Sequence, residues 1–147
     1  MSVEPQRRGG AKTVEPSPAQ NEISRQIVDS AFTVHQALGP GLLESVYEQC
    51  LRHELATRGV AVQRQAALPL VYKGVPIEAG FRIDLIVERQ IVVEVKTVER
   101  ILPIHEAQLL TYLKLSSLPM GLLINFNVAL IRDGIRRMVL TSQASNS

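Results

Sequence analysis

Three charged residues, Asp84, Glu94 and Lys96, are candidates for a catalytic or metal-binding role. They lie in two apolar, strand-like runs, "FRIDLIV" (residues 81–87) and "IVVEVK" (residues 91–96). Carboxylate oxygens are the hard ligands that Mg²⁺ or Mn²⁺ prefer, and a lysine ammonium is a compact cation that can stabilise developing negative charge. A strand that buries itself should not carry charges at its centre. Either these residues face water, or they form a site.

The register between the two runs decides whether the acids meet. Side chains alternate between the faces of a strand, so both runs have one apolar face and one face that carries charge. If the runs form an antiparallel hairpin, their apolar faces match only when Val87 lies opposite Ile91, with residues 88–90 as the loop. On the first run, the apolar face is then expected to hold Phe81, Ile83, Leu85 and Val87.

This register places Asp84 opposite Glu94, and Arg82 opposite Lys96. Opposed Cβ atoms lie roughly 5 Å apart in an antiparallel pair, where two carboxylates repel each other. A divalent cation between them would remove the repulsion, so the pattern predicts a metal site. The alternative is a solvated face, on which charges commonly alternate along a strand. The apolar residues around Glu94 and the lysine two residues later favour the metal site.

Helices and strands must position these residues. Apolar periodicity, turn signals and β-branched runs predict the elements. Their order is a helix at 21–38, a helix at about 42–58, one or two β segments in 60–74, strands at about 80–87 and 91–97, a helix at about 104–116, a strand at 120–130 and a last strand in "IRRMVL". This ααβββαββ order predicts an α/β fold in which helices cover a mixed central sheet.

Length and composition limit the classes of protein. The 147 residues suit one domain, expected at 21–140, with a disordered leader at 1–20 and a frayed tail at 141–147. The net charge of +2, from 16 basic and 14 acidic residues, is too slight to indicate nucleic-acid binding by itself. The single cysteine, Cys50, excludes an internal disulfide and favours a reducing, cytoplasmic compartment. No apolar run reaches the ~20 residues of a membrane span.

The charged residues resemble a known signature. Asp84, followed ten residues later by Glu94-Val95-Lys96, is similar to the motif of the PD-(D/E)XK nuclease superfamily, with Ile83 in place of the leading proline.

A second motif strengthens this resemblance. "GLLESVY", residues 41–47, matches letter for letter the motif that names the GxxExxY family, a bacterial group placed in that superfamily. The stretches "HEAQLLTYL" and "GLLINFNV" are also similar to that family. The resemblance covers about residues 21–140.

The resemblance implies a fold and an activity. The fold would be a restriction-endonuclease-like αβββαβ core with an extra N-terminal helix. The activity would be Mg²⁺-dependent hydrolysis of phosphodiester bonds in DNA or RNA, with Mn²⁺ as a substitute. Lys96 would hold the attacking water or stabilise charge in the transition state. The implied metal ligands are Asp84, Glu94, Glu44 and the carbonyl of Val95.

Four residues of these motifs also have structural explanations. Gln108 and Tyr112 resemble the QxxxY pattern of RecB-like nucleases and share one helical face. Gln108 could equally be a surface amide, and Tyr112 could be a packing residue. Glu44 could serve only the dipole of its helix. Tyr47 is expected in the core, with a hydroxyl that needs a partner.

Other polar residues are less informative. The three histidines lack an HxxxH spacing, so no zinc site is predicted. Scattered basic residues are usually only solvated, although a set of seven could contact phosphates. These are Lys73, Arg82, Arg100, Lys114, Arg132, Arg136 and Arg137.

Two functions therefore remain. The first is a metal-dependent nuclease, which the joint presence of Glu44, Asp84, Glu94 and Lys96 favours. The second is a catalytically silent nuclease-fold module that binds nucleic acid or a protein partner, because a family predicts a fold more securely than an activity. A homodimer or a protein partner could supply extra binding surface. A small-molecule enzyme is not supported, because the chain has no Gly-rich phosphate loop.

Overall fold

The computed structural model describes residues 11–13, 15–78 and 80–143 of the chain. Its helices lie where the apolar periodicity predicted them, within a few residues at each end. They are α1 (Pro18–Leu38), α2 (Glu44–Thr57) and α3 (Pro103–Ser116).

The nine strands and one 3₁₀ turn complete the element order. In chain order the strands are β1 (Ala11–Thr13), β2 (Val62–Ala67), β3 (Val71–Tyr72), β4 (Val75–Pro76), β5 (Arg82–Val87), β6 (Ile91–Lys96), β7 (Met120–Asn125), β8 (Ile135–Val139) and β9 (Thr141–Gln143). The 3₁₀ turn, Ile131–Gly134, contains the predicted turn signal "RDG" and leads into β8.

The central sheet is mixed and has five strands in the order β2-β5-β6-β7-β8. Only β6 and β7 pair in parallel, and α3 connects them; the other neighbours are antiparallel. Parallel strands need such a crossover connection. The segment α2-β2-β5-β6-α3-β7 gives the predicted αβββαβ order, and α1 is the extra N-terminal helix. The predicted restriction-endonuclease-like fold class is confirmed.

Two hydrophobic clusters cover the two faces of the sheet. Helices α1 and α2 pack on one face, around Leu51, Leu55, Val93, Val95 and Leu122. Helix α3 packs on the other face, around Val92, Leu109, Leu113 and Leu123. Burying the two sides of the central strands explains why β6 and β7 are apolar along most of their length.

One end of the sheet matters for the site. Strands β6 and β7 finish there at Lys96 and Asn125, which are paired in the ladder. Strand β5 is antiparallel to β6, so it begins at this end, at Arg82. Strand β2 is antiparallel to β5, so it finishes at this end, at Ala67. We call this the carboxyl end of the sheet.

The structure differs from the sequence prediction at the end of β7, which stops at Asn125 rather than near residue 130. Its parallel partner β6 ends at the same level, because Lys96 is paired with Asn125. The 60–74 segment contains β2 and β3, the first strand of a separate hairpin, which agrees with the predicted one or two β segments.

The predicted leader and tail also contain regular structure within the described residues. Strand β1 pairs with β9, and α1 begins at Pro18. The rest of those predictions, residues 1–10, 14 and 144–147, lies outside the described residues.

Candidate active site

The pairing of β5 with β6 stops where the acidic residues begin. Val87 lies opposite Ile91, and the ladder continues to Leu85 opposite Val93. This confirms the register that the apolar faces predicted. The predicted opposition of Arg82 and Lys96 does not form, because the ladder has ended before it reaches them.

Beyond the ladder, Asp84 and Glu94 replace backbone pairing with side-chain hydrogen bonds. The backbone N–H of Asp84 donates to Glu94 Oε2 over 3.0 Å. The backbone N–H of Val95 donates to Asp84 Oδ2 over 2.8 Å. Each carboxylate therefore fills a gap that opens between the two strands. The two acids meet, as the register predicted.

The same gap breaks the alternation of β5. Leu85 and Val87 pack in the α1/α2 cluster, whereas Ile83 packs in the α3 cluster. Phe81 is exposed. The prediction of one apolar face for all four residues is wrong. Strand β5 pairs with β6 only from Leu85 to Val87, so the β5–β6 ladder does not fix the side-chain directions of the residues before Leu85.

Burial makes the acid pair electrostatically costly. Glu94 is only 5% exposed. Its burial, and then the charge of Asp84, raise its pKa to about 8. Burial also raises the pKa of Asp84 to about 6, against the hydrogen bond from Val95, and the charges of Glu48 and Glu44 add to the rise. Among the described residues neither acid forms an ion pair. A proton or a cation is needed to neutralise such a pair.

Lys96 lies beside the two acids. It ends β6, is partly exposed and is paired with Asn125 of β7. Its positive charge lowers the pKa of both Asp84 and Glu94, although burial outweighs this effect. The charge of Lys96 therefore acts on both carboxyl groups.

Glu44 reaches the site from the first turn of α2. Its Oε2 accepts a hydrogen bond from the backbone N–H of Thr97 over 3.2 Å. Thr97 directly follows Lys96. Glu44 lies in the first turn of its helix, where a carboxylate interacts favourably with the helix dipole. It also contacts the residue that directly follows β6, the strand of Glu94 and Lys96.

Tyr47 is a core residue, as its structural explanation predicted. It is fully buried, and its ring stacks on Phe126 with centroids 4.6 Å apart. Its hydroxyl donates to the Gly39 carbonyl over 2.5 Å and accepts from the Leu42 N–H over 3.1 Å. Gly41, between them, has φ of +100°, which favours glycine. Tyr47 therefore secures the loop that leads into Glu44.

Glu48 is a buried acid that the sequence prediction missed. It is 4% exposed, and Arg64 Nε lies 2.8 Å from its Oε2. The Gln65 side-chain amide donates to the same oxygen over 2.8 Å. Glu48 lies one helical turn after Glu44, and that spacing was the available signal.

Gln65 reaches Glu48 through an unusual backbone conformation. Its φ is +55°, in the left-handed region. On β2 it lies level with Asp84, between the pairs Arg64–Leu85 and Ala66–Ile83. Strained non-glycine residues of this kind cluster at functional sites.

Tyr112 lies on α3, in the hydrophobic cluster on the face of the sheet opposite to α2. It is 7% exposed on α3. Its burial, and then the charges of Glu94 and Asp84, raise the pKa of its hydroxyl. Gln108 lies one turn earlier on α3 and is partly exposed. Within the described part of the chain, no side-chain hydrogen bond joins Gln108 to the acids.

Asn125 holds the segment that follows Lys96. It is 1% exposed. Its Oδ1 accepts from the Val98 N–H over 3.1 Å, and its Nδ2 donates to the Val98 carbonyl over 2.9 Å. This pair of bonds fixes the segment whose Thr97 N–H binds Glu44. The sequence prediction had assigned Asn125 only to an apolar strand.

The donor atoms suit a hard cation, but they do not form a complete ligand set. Among the described residues, no group of three His, Cys, Asp or Glu side chains is arranged to hold a metal ion. In the described hydrogen bonds, however, Asp84 Oδ1 and Glu94 Oε1 have no donor. A buried carboxylate and a half-buried one, each with a free oxygen, match the chemistry of a divalent cation site.

The seven basic residues that were singled out lie in several parts of the fold. Four of them belong to segments at the carboxyl end of the sheet: Lys73, Arg82, Arg100 and Arg132, whose 3₁₀ turn leads into β8 next to Asn125. Arg136 instead lies on the edge strand β8, where its Nε is 3.8 Å from Glu106.

Among the described helices, none has the length and apolarity needed to cross a membrane.

Comparison with known proteins identifies a family for this chain. A family model described as PD-(D/E)XK nuclease superfamily matches residues 21–138. No curated protein and no solved structure gives a significant match. The matched region includes all three helices, except the first residues of α1, and the central sheet except Val139, the last residue of β8. The chain belongs to the PD-(D/E)XK nuclease superfamily.

Proposed function

We propose that this protein is a nuclease that hydrolyses phosphodiester bonds with the help of a divalent cation. The exchange of hydrogen bonds between Asp84, Glu94 and the facing backbone is the observation that carries this proposal. It holds the buried Glu94 and the half-buried Asp84 together beside Lys96. A cation bound between the two carboxyl groups would replace the proton that burial otherwise keeps on Glu94.

The acid pair would hold the cation, Mg²⁺ or Mn²⁺. Asp84 Oδ1 and Glu94 Oε1 are available for it, and the Val95 carbonyl and Glu44 are proposed as further ligands. A bound divalent cation lowers the pKa of a coordinated water and polarises a phosphoryl oxygen. Lys96 would orient the attacking water or stabilise the charge that develops on the phosphate.

Helices α2 and α3 would complete the site from opposite faces of the sheet. Glu44 is kept at the end of β6 by its bond to Thr97 and by the loop that Tyr47 secures. We propose on this basis that the "GLLESVY" motif places the chain in the GxxExxY group of the superfamily. Tyr112 and Gln108 are proposed to contact the nucleotide next to the scissile bond.

A catalytically silent module is the second candidate function. It is favoured by the absence, within the described residues, of a ready group of three metal-binding side chains. The acids also satisfy the facing N–H groups by themselves, so they have a structural use. Such a module would bind nucleic acid or a protein partner without cleaving it, alone or as a homodimer.

Cleavage assays separate the two candidates. Single- and double-stranded DNA and RNA would be incubated with the wild type, Lys96→Ala and Asp84→Asn, in Mg²⁺, Mn²⁺ or EDTA. Asp29→Asn is the matched control, because Asp29 is an exposed carboxylate on α1 that pairs with Arg25. The nuclease requires metal-dependent cleavage that both site variants lose and the control keeps. Binding without cleavage in every metal would instead identify a silent module.

A further inference from the structure

A small hairpin extends the β2–β5 ribbon beyond the central sheet. The Leu68 N–H donates to the Phe81 carbonyl over 3.2 Å, so the pairing continues past Ala67 and Arg82. Further out, β3 and β4 pair with each other. Lys73 and Gly74 close the hairpin with φ of +49° and +80°, as a two-residue turn with two positive φ angles does.

This hairpin, residues 71–76, belongs to the end of the sheet at which the acids lie. It connects the last residue of β2 with the first of β5, and both are at the carboxyl end. Gln65 is level with Asp84, and the seven residues from there to Tyr72 span at most about 23 Å of extended chain. A nucleic-acid strand that entered the acid site from this end could therefore reach the hairpin.

The hairpin exposes apolar side chains instead of burying them. Tyr72 is 63% exposed and Phe81, at the base of the hairpin, is 52% exposed. Val71, Val75 and Ile77 are exposed as well. Apolar groups concentrated in one protruding segment indicate a binding surface more often than isolated ones do.

Positive charge accompanies the exposed aromatic ring. The Lys73 ammonium lies 5.4 Å from the centroid of the Tyr72 ring. Arg82 is exposed at the base of the hairpin. An aromatic ring and an adjacent cation match the two parts of a nucleotide, because a base stacks on the ring and a phosphate binds the cation.

We propose that the hairpin of residues 71–76 is a binding arm for single-stranded nucleic acid. Tyr72 stacks on an unpaired base, and Lys73 binds the neighbouring phosphate. This inference rests on the proposed function, since it names the substrate class of the same site. A duplex fits less well, because its bases are already stacked on one another and leave no free base face for the Tyr72 ring.

Binding measured without cleavage tests the arm. The Glu94→Gln protein in EDTA would be titrated into fluorescent single-stranded DNA and RNA, and into duplexes of the same sequence. Adding Tyr72→Ala should weaken single-strand binding about 10-fold or more, the usual loss for one stacked base. Tyr72→Phe should keep the affinity. Lys73→Gln should weaken binding and reduce its salt dependence by about one phosphate contact.

Phe32→Ala is the matched control, because Phe32 is 55% exposed on α1 and is absent from the hairpin. Its affinity should equal that of the parent. The arm is overturned if Tyr72→Ala binds single strands as the parent does, if duplexes bind more tightly than single strands, or if no variant binds any nucleic acid. Circular dichroism checks folding, and Lys73→Gln, at an exposed turn, gives a second result if Tyr72→Ala unfolds.

The two proposals can fail separately. One outcome is that Lys96→Ala abolishes metal-dependent cleavage while Tyr72→Ala leaves single-strand binding unchanged. This outcome supports the nuclease proposal and overturns the binding-arm proposal. Single-strand binding that depends on Tyr72, with no cleavage in any metal, keeps the arm and removes the nuclease. Loss of both overturns both.

Discussion

The backbone N–H of Asp84 donates to the side chain of Glu94, and the residue after Glu94 donates back to the side chain of Asp84, over 3.0 and 2.8 Å. The two carboxylates thereby take the place of two ladder bonds between β5 and β6. A strand pair that only needed stability would continue its backbone ladder. Here it opens and holds two acids in the opening, which is a cost that a bound cation would offset.

Glu94 should make the stability of the metal-free protein depend on pH. Its pKa rises from 4.5 to about 8 on folding, so its stabilising contribution is complete below about pH 4.5 and is lost as the pH rises through 8. Glu94→Gln should therefore match the wild type near pH 5. At pH 9 it should increase the free energy of unfolding by roughly 2–4 kcal/mol, since one pKa unit is about 1.4 kcal/mol.

Urea unfolding in EDTA at both pH values measures this difference. Asp29→Asn, which changes an exposed acid, should show no such pH dependence. An equal effect of Glu94→Gln at pH 5 and pH 9 would contradict a buried acid that ionises with difficulty.

Mn²⁺ binding should release protons. Near pH 7, Glu94, with its pKa of about 8, is mostly protonated, and a metal ligand must be deprotonated. Binding should therefore release close to one proton at pH 7 and almost none at pH 9.5. Calorimetry in buffers with different ionisation enthalpies counts these protons. Glu94→Gln should abolish binding, whereas a site that binds Mn²⁺ equally well without Glu94 lies elsewhere.

Glu48 should support the fold of the site more strongly than an ordinary helix acid does. Glu48→Ala leaves Arg64 and the strained Gln65 without their shared partner, and should lower the free energy of unfolding by about 1–3 kcal/mol. Glu54→Gln on the same helix is the control, since Glu54 pairs only with Arg58 at i,i+4 and should cost less than about 0.5 kcal/mol. Chemical denaturation compares them, and equal losses would argue against a special role for Glu48.

Tyr47→Phe should loosen the loop before Glu44 without disturbing the core. The change keeps the ring on Phe126 but removes both hydroxyl hydrogen bonds, at a cost of about 1–2 kcal/mol. If the loop positions Glu44, Mn²⁺ affinity should fall as well, by a few-fold. Tyr72→Phe removes an exposed hydroxyl and should change neither quantity. Stability lost with unchanged metal affinity would show that the loop does not position Glu44.

The fold class and the meeting of the two acids follow from the order of the amino acids alone. Period-two apolar faces and a three-residue loop left one register for β5 and β6, with Val87 opposite Ile91. That register brings Asp84 to Glu94 whatever surrounds the hairpin.

The detailed construction of the site, in contrast, depends on packing between distant parts of the chain. A register states which residues are opposed but not where the ladder between two strands ends. The opening between β5 and β6 before Leu85, and the packing of Ile83 on the α3 face, were therefore not predictable. Glu48 became a buried acid only because α2 packs across β2 and meets Arg64 and Gln65. Such contacts join residues that are distant in the chain, and the local alternation of side chains contains no information about them.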